Sequence, residues 1–129
     1  MSSQPQKILV VDDEEIIRLA TSRILAQEGY HCITVEGASA ALEALRDPMD
    51  LIISDVRMEG NIELEFFKEL RDHFSHIPLI VMTGYPSVPP KIREIPTSMV
   101  YCLTKPFDSE ALVNAVRGVL GKGKGSEVE

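Results

Sequence analysis

The sequence has little that would tie it to a membrane, an oxidising compartment or a nucleic acid. It holds only two cysteines in 129 residues. Cys32 and Cys102 each lie inside an apolar run, so they read as buried free thiols, and a disulfide is the poorer reading in a reducing compartment. Long hydrophobic runs are missing too. The longest apolar strings are four or five residues, far short of the ~20 that span a bilayer as a helix. The opening segment Met1–Gln6 is polar and lacks the apolar stretch of a secretory signal. The expected address is the cytoplasm, with no membrane partner. Positive charge is scarce as well. Thirteen Lys and Arg stand against 20 Asp and Glu, a net charge of −7. A phosphate-backbone binder needs a basic face, so no direct nucleic acid binding is expected of this chain.

What is present fits one domain of ordinary size, since 129 residues support a single core. Apolar residues at 44% and charged residues at 26% are normal for a globular chain. Short apolar runs alternate with helical patterns. Lys7–Val11 reads as a strand that ends abruptly in Asp12, Asp13, Glu14 and Glu15. Acids at that point suit a helix start, where they complement the dipole. The next helix shows an apolar stripe at Ile16, Ile17, Ala20 and Ile24, and Gly29 supplies its stop. His31–Val35 is a β-branched second strand. Ala38, Ala41, Leu42 and Leu45 give a second helix running up to Asp47-Pro48.

Leu51–Ser54 lacks alternation, as a strand buried on both faces should. A third helix carries Leu64, Phe67, Leu70 and Phe74, with Phe66 and Phe67 in the packing and one of them partly exposed. Pro78–Thr83 and Val100–Leu103 are the remaining strands. The last helix places Leu112, Ala115, Val116 and Val119 on one face, with Asp108 or Ser109 as N-cap. Between those two strands, Pro86, Pro89, Pro90 and Pro96 leave room for a short helix at most, about residues 90–95. His73 and His76 near a helix end are expected to face solvent rather than hold zinc. The domain is expected to span residues 7–120, after a disordered segment 1–6 and before a glycine-rich flexible tail or linker start at 121–129.

Five strands separated by helices imply a parallel sheet wrapped on both sides. In such a sheet the ligand crevice lies beyond the carboxyl ends of the strands. Those ends here are Asp12-Asp13, Asp55, Thr83 and Lys105. Clustered carboxylates repel one another unless a cation neutralises them, and hard oxygen ligands suit Mg²⁺. A lysine and a hydroxyl beside them are what a phosphoryl group needs during transfer. The residues therefore indicate a Mg²⁺-assisted phosphoryl site with a carboxylate nucleophile.

Four segments carry a resemblance. They are Ile8-Leu9-Val10-Val11-Asp12-Asp13-Glu14, Asp50-Leu51-Ile52-Ile53-Ser54-Asp55-Val56-Arg57-Met58, Pro78-Leu79-Ile80-Val81-Met82-Thr83-Gly84 and Leu103-Thr104-Lys105-Pro106-Phe107. In this order and spacing the chain resembles a response-regulator receiver domain of two-component phosphorelays, over about residues 5–120. The resemblance implies a doubly wound, flavodoxin-like α/β fold with strand order 2-1-3-4-5 and a short or irregular fourth helix. It implies Asp55 as phosphoacceptor from a phosphohistidine, forming an acyl phosphate. Mg²⁺ would be held by Asp13 directly, Asp12 through water, Asp55 and the backbone carbonyl of Arg57. Lys105, Thr83 and the Gly84 amide would bind phosphoryl oxygens, and Lys105-Pro106 would be a cis peptide. Tyr101 would be the aromatic that moves inward as Thr83 is drawn to phosphate. The implied partners are a sensor histidine kinase or phosphotransfer protein, and an output domain or partner protein.

The chain also departs from the family. Glu59 replaces the usual proline after Met58, and Glu63 the glycine expected eight residues past Asp55. The small-residue pair before the last strand is replaced within Pro96-Thr97-Ser98-Met99. The fourth helix of such domains contributes to dimerisation and output, so a homodimer stays open. Two other functions compete. An aspartyl-phosphate phosphatase or mutase would carry a second acid two residues past its nucleophile, where this chain has Arg57, and there is no cap domain. A receiver-like interaction module working without phosphorylation would not need all of Asp12, Asp13, Asp55, Thr83 and Lys105.

Overall fold

A computed structural model of the chain describes residues 4–56, 65–84 and 100–120. Arg57, Glu59, Glu63 and Leu64, the proline-rich stretch that includes residues 90–95, and the tail at 121–129 lie outside the described residues. The elements run β1 (Lys7–Val11), α1 (Glu15–Gln27), β2 (His31–Val35), α2 (Ala38–Ala44), β3 (Leu51–Asp55), α3 (Glu65–His73), β4 (Leu79–Thr83), β5 (Val100–Thr104) and α4 (Ser109–Leu120). The five strands form one parallel sheet in the order β2-β1-β3-β4-β5.

The three inner strands are the continuous apolar runs of the sequence, because a central parallel strand is covered on both faces. Every residue of β3 and β4 is buried. Alternation divides the core in two. Leu9, Val11, Ile52, Leu79 and Val81 point to one face, against Ala41, Leu45, Phe66, Phe67 and Leu70 of the α2 and α3 region. Ile8, Val10, Leu51, Ile53, Ile80 and Met82 point to the other, against Leu25 of α1 and Leu112, Ala115 and Val116 of α4. Phe66 and Phe67 are both buried, with ring centroids 6.0 Å apart. The partial exposure expected for one of them is not found, because α3 lays both rings against the sheet.

Helix α1 also departs from its expected stripe. Its inward side carries Ile17, Thr21, Ile24 and Leu25. Ile16 is 78% exposed and Leu19 51% exposed, and Ala20 is exposed too. The adjacent isoleucines at 16 and 17 satisfy the helical period in either of two phases, and the polar Thr21 concealed the true one. The helix ends as the sequence suggested. Gly29 takes φ +96°, Tyr30 N–H donates to Leu25 O at 3.1 Å and Gly29 N–H to Ala26 O at 3.0 Å. That pair of bonds is a Schellman stop, which wants a left-handed residue at this position.

Helix α2 closes at Ala44, and the chain reaches Asp47 through turn bonds rather than further helix. Asp108 caps α4, its Oδ1 accepting from Ala111 N–H at 2.8 Å. His73 and His76 are exposed. Neither cysteine is in a disulfide among the described residues, and both are only half-buried. Strand alternation sends Cys32 toward the α1 face and Cys102 toward the α2 and α3 face, and burial pushes the Cys32 thiol up to about 11. Among the described residues no helix is long and apolar enough to cross a membrane.

Candidate functional site

The sheet's hydrogen bonding continues past the strand ends and fixes the residues that follow them. Asp12 N–H donates to Val35 O at 3.1 Å, Val56 N–H to Met82 O at 3.0 Å, and Lys105 N–H to Thr83 O at 2.7 Å. Three separate chain segments are thereby pinned around one cleft. That cleft, of about 350 Å³, is lined among the described residues by Asp13, Glu14, Asp55, Val56, Thr83, Gly84 and Lys105.

Asp12 lies beneath it, fully buried. Its Oδ1 accepts from Glu14 N–H at 2.9 Å, and its backbone carbonyl accepts from Arg18 Nη1 at 2.8 Å. Among the described residues its Oδ2 is buried without a directed hydrogen bond and meets the Lys105 ammonium as an ion pair at 3.0 Å. Burying such an oxygen is costly unless a cation satisfies it. Asp12, Asp13 and Asp55 each offer an oxygen, all within 4.8 Å of one another. An all-oxygen set with one under-satisfied buried atom fits a hard divalent ion.

Lys105 is the counter-charge. Its Nζ stands 3.0 Å from Asp12 Oδ2, 3.2 Å from Glu14 Oε1 and 3.4 Å from Asp55 Oδ2. Burial alone would push the ammonium down, but the carboxylates of Asp12, Asp55 and Glu14 outweigh it and raise it above its ordinary value. For Asp55 the balance differs. Burial raises its carboxyl, Lys105 opposes that, and the charges of Asp12 and Asp13 add to the rise, leaving it at about 6. A carboxylate so destabilised is stabilised by a nearby cation.

The fold brings Asp12, Asp13, Asp55, Thr83, Gly84 and Lys105 together, and the Lys105–Pro106 peptide is cis. The Arg57 carbonyl lies outside the described residues. Tyr101 is not brought to Thr83. Register pairs Ile80 with Tyr101, Val81 with Cys102 and Thr83 with Thr104. Alternation therefore puts Thr83, Cys102 and Thr104 on the α2 and α3 face and Tyr101, a residue 47% exposed, on the opposite one. A ring there cannot fill space that Thr83 vacates, so the switch assignment for Tyr101 is withdrawn. The sequence reading also missed Glu14 as a member of the site. It took this acid for a helix-dipole residue, although its place directly after the acidic pair was the available signal.

Comparison with known proteins agrees with this geometry. The family model for the response regulator receiver domain matches residues 8–117. The response regulator protein FleR of Pseudomonas aeruginosa is 35% identical over 123 residues, 94% of this chain and 26% of that protein. The transcriptional regulatory protein FixJ of Azorhizobium caulinodans is 36% identical over 115 residues, 88% of this chain and 54% of that one. The chain thus spans about a quarter to a half of these curated relatives. The chemotaxis response regulator CheY4 of Vibrio cholerae superposes with a TM-score of 0.80 at 30% identity, covering 90% of this chain and 99% of that structure. With its fold, its acidic cleft and these matches, the chain belongs to the response regulator receiver domain family, the phosphoacceptor domains of two-component signalling.

Proposed function

We propose that Asp55 accepts a phosphoryl group from a phosphohistidine on a sensor histidine kinase or phosphotransfer protein, with Mg²⁺ at Asp12, Asp13, Asp55 and the Arg57 carbonyl. The observation that carries this reading is the meeting of three carboxylates with Lys105 in one cleft. When bound, the cation supplies positive charge that keeps Asp55 ionised and offsets the charge of the incoming group. An Asp55 oxygen forms the new O–P bond as the N–P bond of the phosphohistidine breaks, and the imidazole leaves with that electron pair. Lys105 pairs with one phosphoryl oxygen, while the Thr83 hydroxyl and Gly84 N–H serve others.

The domain then catalyses only its own phosphorylation and dephosphorylation, and its product is a shifted conformational population read by an output domain or partner. Ile16 and Leu19 lie exposed on α1, which starts at the lip of the cleft, and offer apolar surface to the phosphodonor protein. A cytoplasmic address follows from that donor, and homodimerisation is compatible with the role. Acetyl phosphate with Mg²⁺ tests the reading directly. Intact-mass measurement should show one phosphoryl group on the wild type and none on Asp55→Ala or without the metal. Equal incorporation into Asp55→Ala would refute it.

A further inference from the structure

Glu14 is an acid of the cleft that neither the nucleophile nor the proposed metal set uses. It follows Asp13 at the entrance to α1, and its side chain is 61% exposed. Yet Oε1 reaches Lys105 Nζ at 3.2 Å, from the far side of the cleft. We propose that Glu14 is a positioning residue that competes with the phosphoryl group for Lys105, and so sets how tightly this domain holds an anion at Asp55. This inference rests on the phosphoacceptor reading.

An ammonium has three N–H donors, and Lys105 faces three carboxylates, those of Asp12, Glu14 and Asp55. Glu14 takes a directed hydrogen bond from that ammonium and the other two meet it as ion pairs, so a phosphoryl oxygen must share it unless one of them withdraws. In the loaded site two have reason to. A cation takes up the charge of Asp12, and Asp55 gives up its carboxylate charge on becoming an acyl phosphate. Glu14 belongs to neither change, since it stands outside the cluster of Asp12, Asp13 and Asp55. It keeps its full charge and its claim on Lys105.

The surroundings limit how strong that claim is. The Glu14 main chain is fixed, because its N–H is held by Asp12 Oδ1 at 2.9 Å. Only rotation of the side chain can release Lys105, and a side chain mostly in water rotates away at small cost. An exposed pair of this kind is worth about two- to fivefold in an equilibrium constant. Glu14 is thus a tuner of anion retention rather than a block.

The test is a beryllofluoride titration at saturating Mg²⁺, followed by backbone amide resonances, on the wild type, Glu14→Gln and Glu14→Asp. The Lys105 Nζ resonance of each metal-free protein is recorded alongside, with melting temperature as a control. Glu14→Gln should bind about two- to fivefold tighter, lose a phosphoryl group correspondingly more slowly and shift the Nζ signal. Glu14→Asp keeps the charge but is a methylene too short to reach Lys105, so it should behave like Glu14→Gln. If Glu14→Asp instead matches the wild type, distant charge rather than pairing is responsible and the proposal fails. It fails equally if Glu14→Gln binds with unchanged or weaker affinity while the wild type binds normally. A wild type that binds no beryllofluoride would sink the phosphoacceptor reading itself, and this inference with it.

Discussion

The Lys105 ammonium stands 3.4 Å from Asp55 Oδ2, the one positive side chain facing that carboxylate among the described residues of the cleft. It does not compensate fully. Burial and the neighbouring charges of Asp12 and Asp13 still leave the Asp55 carboxyl raised from 3.8 to about 6. The folded state therefore holds this proton more firmly than the unfolded chain does. The resulting stability is present below pH 3.8 and is lost as pH climbs through about 6. At neutral pH, without a metal, ionised Asp55 is a net burden. Asp55→Asn should then stabilise the metal-free protein on the order of 1 kcal/mol, less than the whole shift because the cleft opens to solvent. Urea denaturation should show that gain at neutral pH and its disappearance near pH ~4. An equal effect at both values would mean the acid is not destabilised by its site.

Replacing Lys105 probes the opposite side of the balance. Asp12 is fully buried, and its Oδ2 has Lys105 as its ion-pair partner at 3.0 Å. Lys105→Met removes the charge while keeping most of the aliphatic stem. Stranding a buried carboxylate in this way costs about 3–5 kcal/mol when no water reaches it, and somewhat less beside an open cleft. A divalent cation can replace the missing ammonium. Denaturation with and without Mg²⁺ should therefore show a larger stabilisation by metal in the variant than in the wild type. A variant as stable as the wild type without metal would argue that Asp12 has another counter-charge.

Thr21 carries a prediction about α1 alone. It is 1% exposed on the inward side of the helix, and its Oγ1 has no hydrogen-bond partner among the described residues. Valine has nearly the same shape without the unsatisfied hydroxyl. Thr21→Val should raise stability by about 1 kcal/mol, seen as a higher melting temperature with unchanged beryllofluoride affinity. A loss of stability would show that the hydroxyl does find a partner in solution.

These residues also show how much of the molecule could be read in advance. The inner strands were legible because burial on both faces leaves an unbroken apolar signature, and the acids and lysine at their ends were legible because chain direction fixes where a parallel sheet opens. The phase of α1 was not. Ile16 and Ile17 fit two faces equally, and only docking on the sheet chose the one with Thr21 inside. Glu14 escaped because its partner lies 91 residues away in sequence. A contact of that kind exists only once β1 and β5 stand in one sheet with β3 and β4 between them. Tyr101 was misassigned for a simpler reason. A shift of one position along a strand exchanges the two faces of a sheet, and Tyr101 falls on the face opposite Thr83.

That exchange of faces makes its own prediction. Thr83 shares its face with Val81, Cys102 and Thr104, while Tyr101 sits with Ile80 and Leu103 on the α1 and α4 side. Motion of Thr83 toward an anion at Asp55 opens space beside Cys102, which packs among the residues under α2 and α3. The ring of Tyr101, a residue 47% exposed at the sheet edge, has no such space to enter. Tyr101→Ala should then change beryllofluoride affinity by less than about twofold, the scale of a surface substitution away from the site. In the wild type, Mg²⁺ and beryllofluoride should move the Cys102 and Val81 resonances while leaving the Tyr101 ring signals and their solvent accessibility nearly as they were. A large affinity change in Tyr101→Ala, or a ring that becomes protected on binding, would return Tyr101 to the switch and require β5 to shift its register against β4.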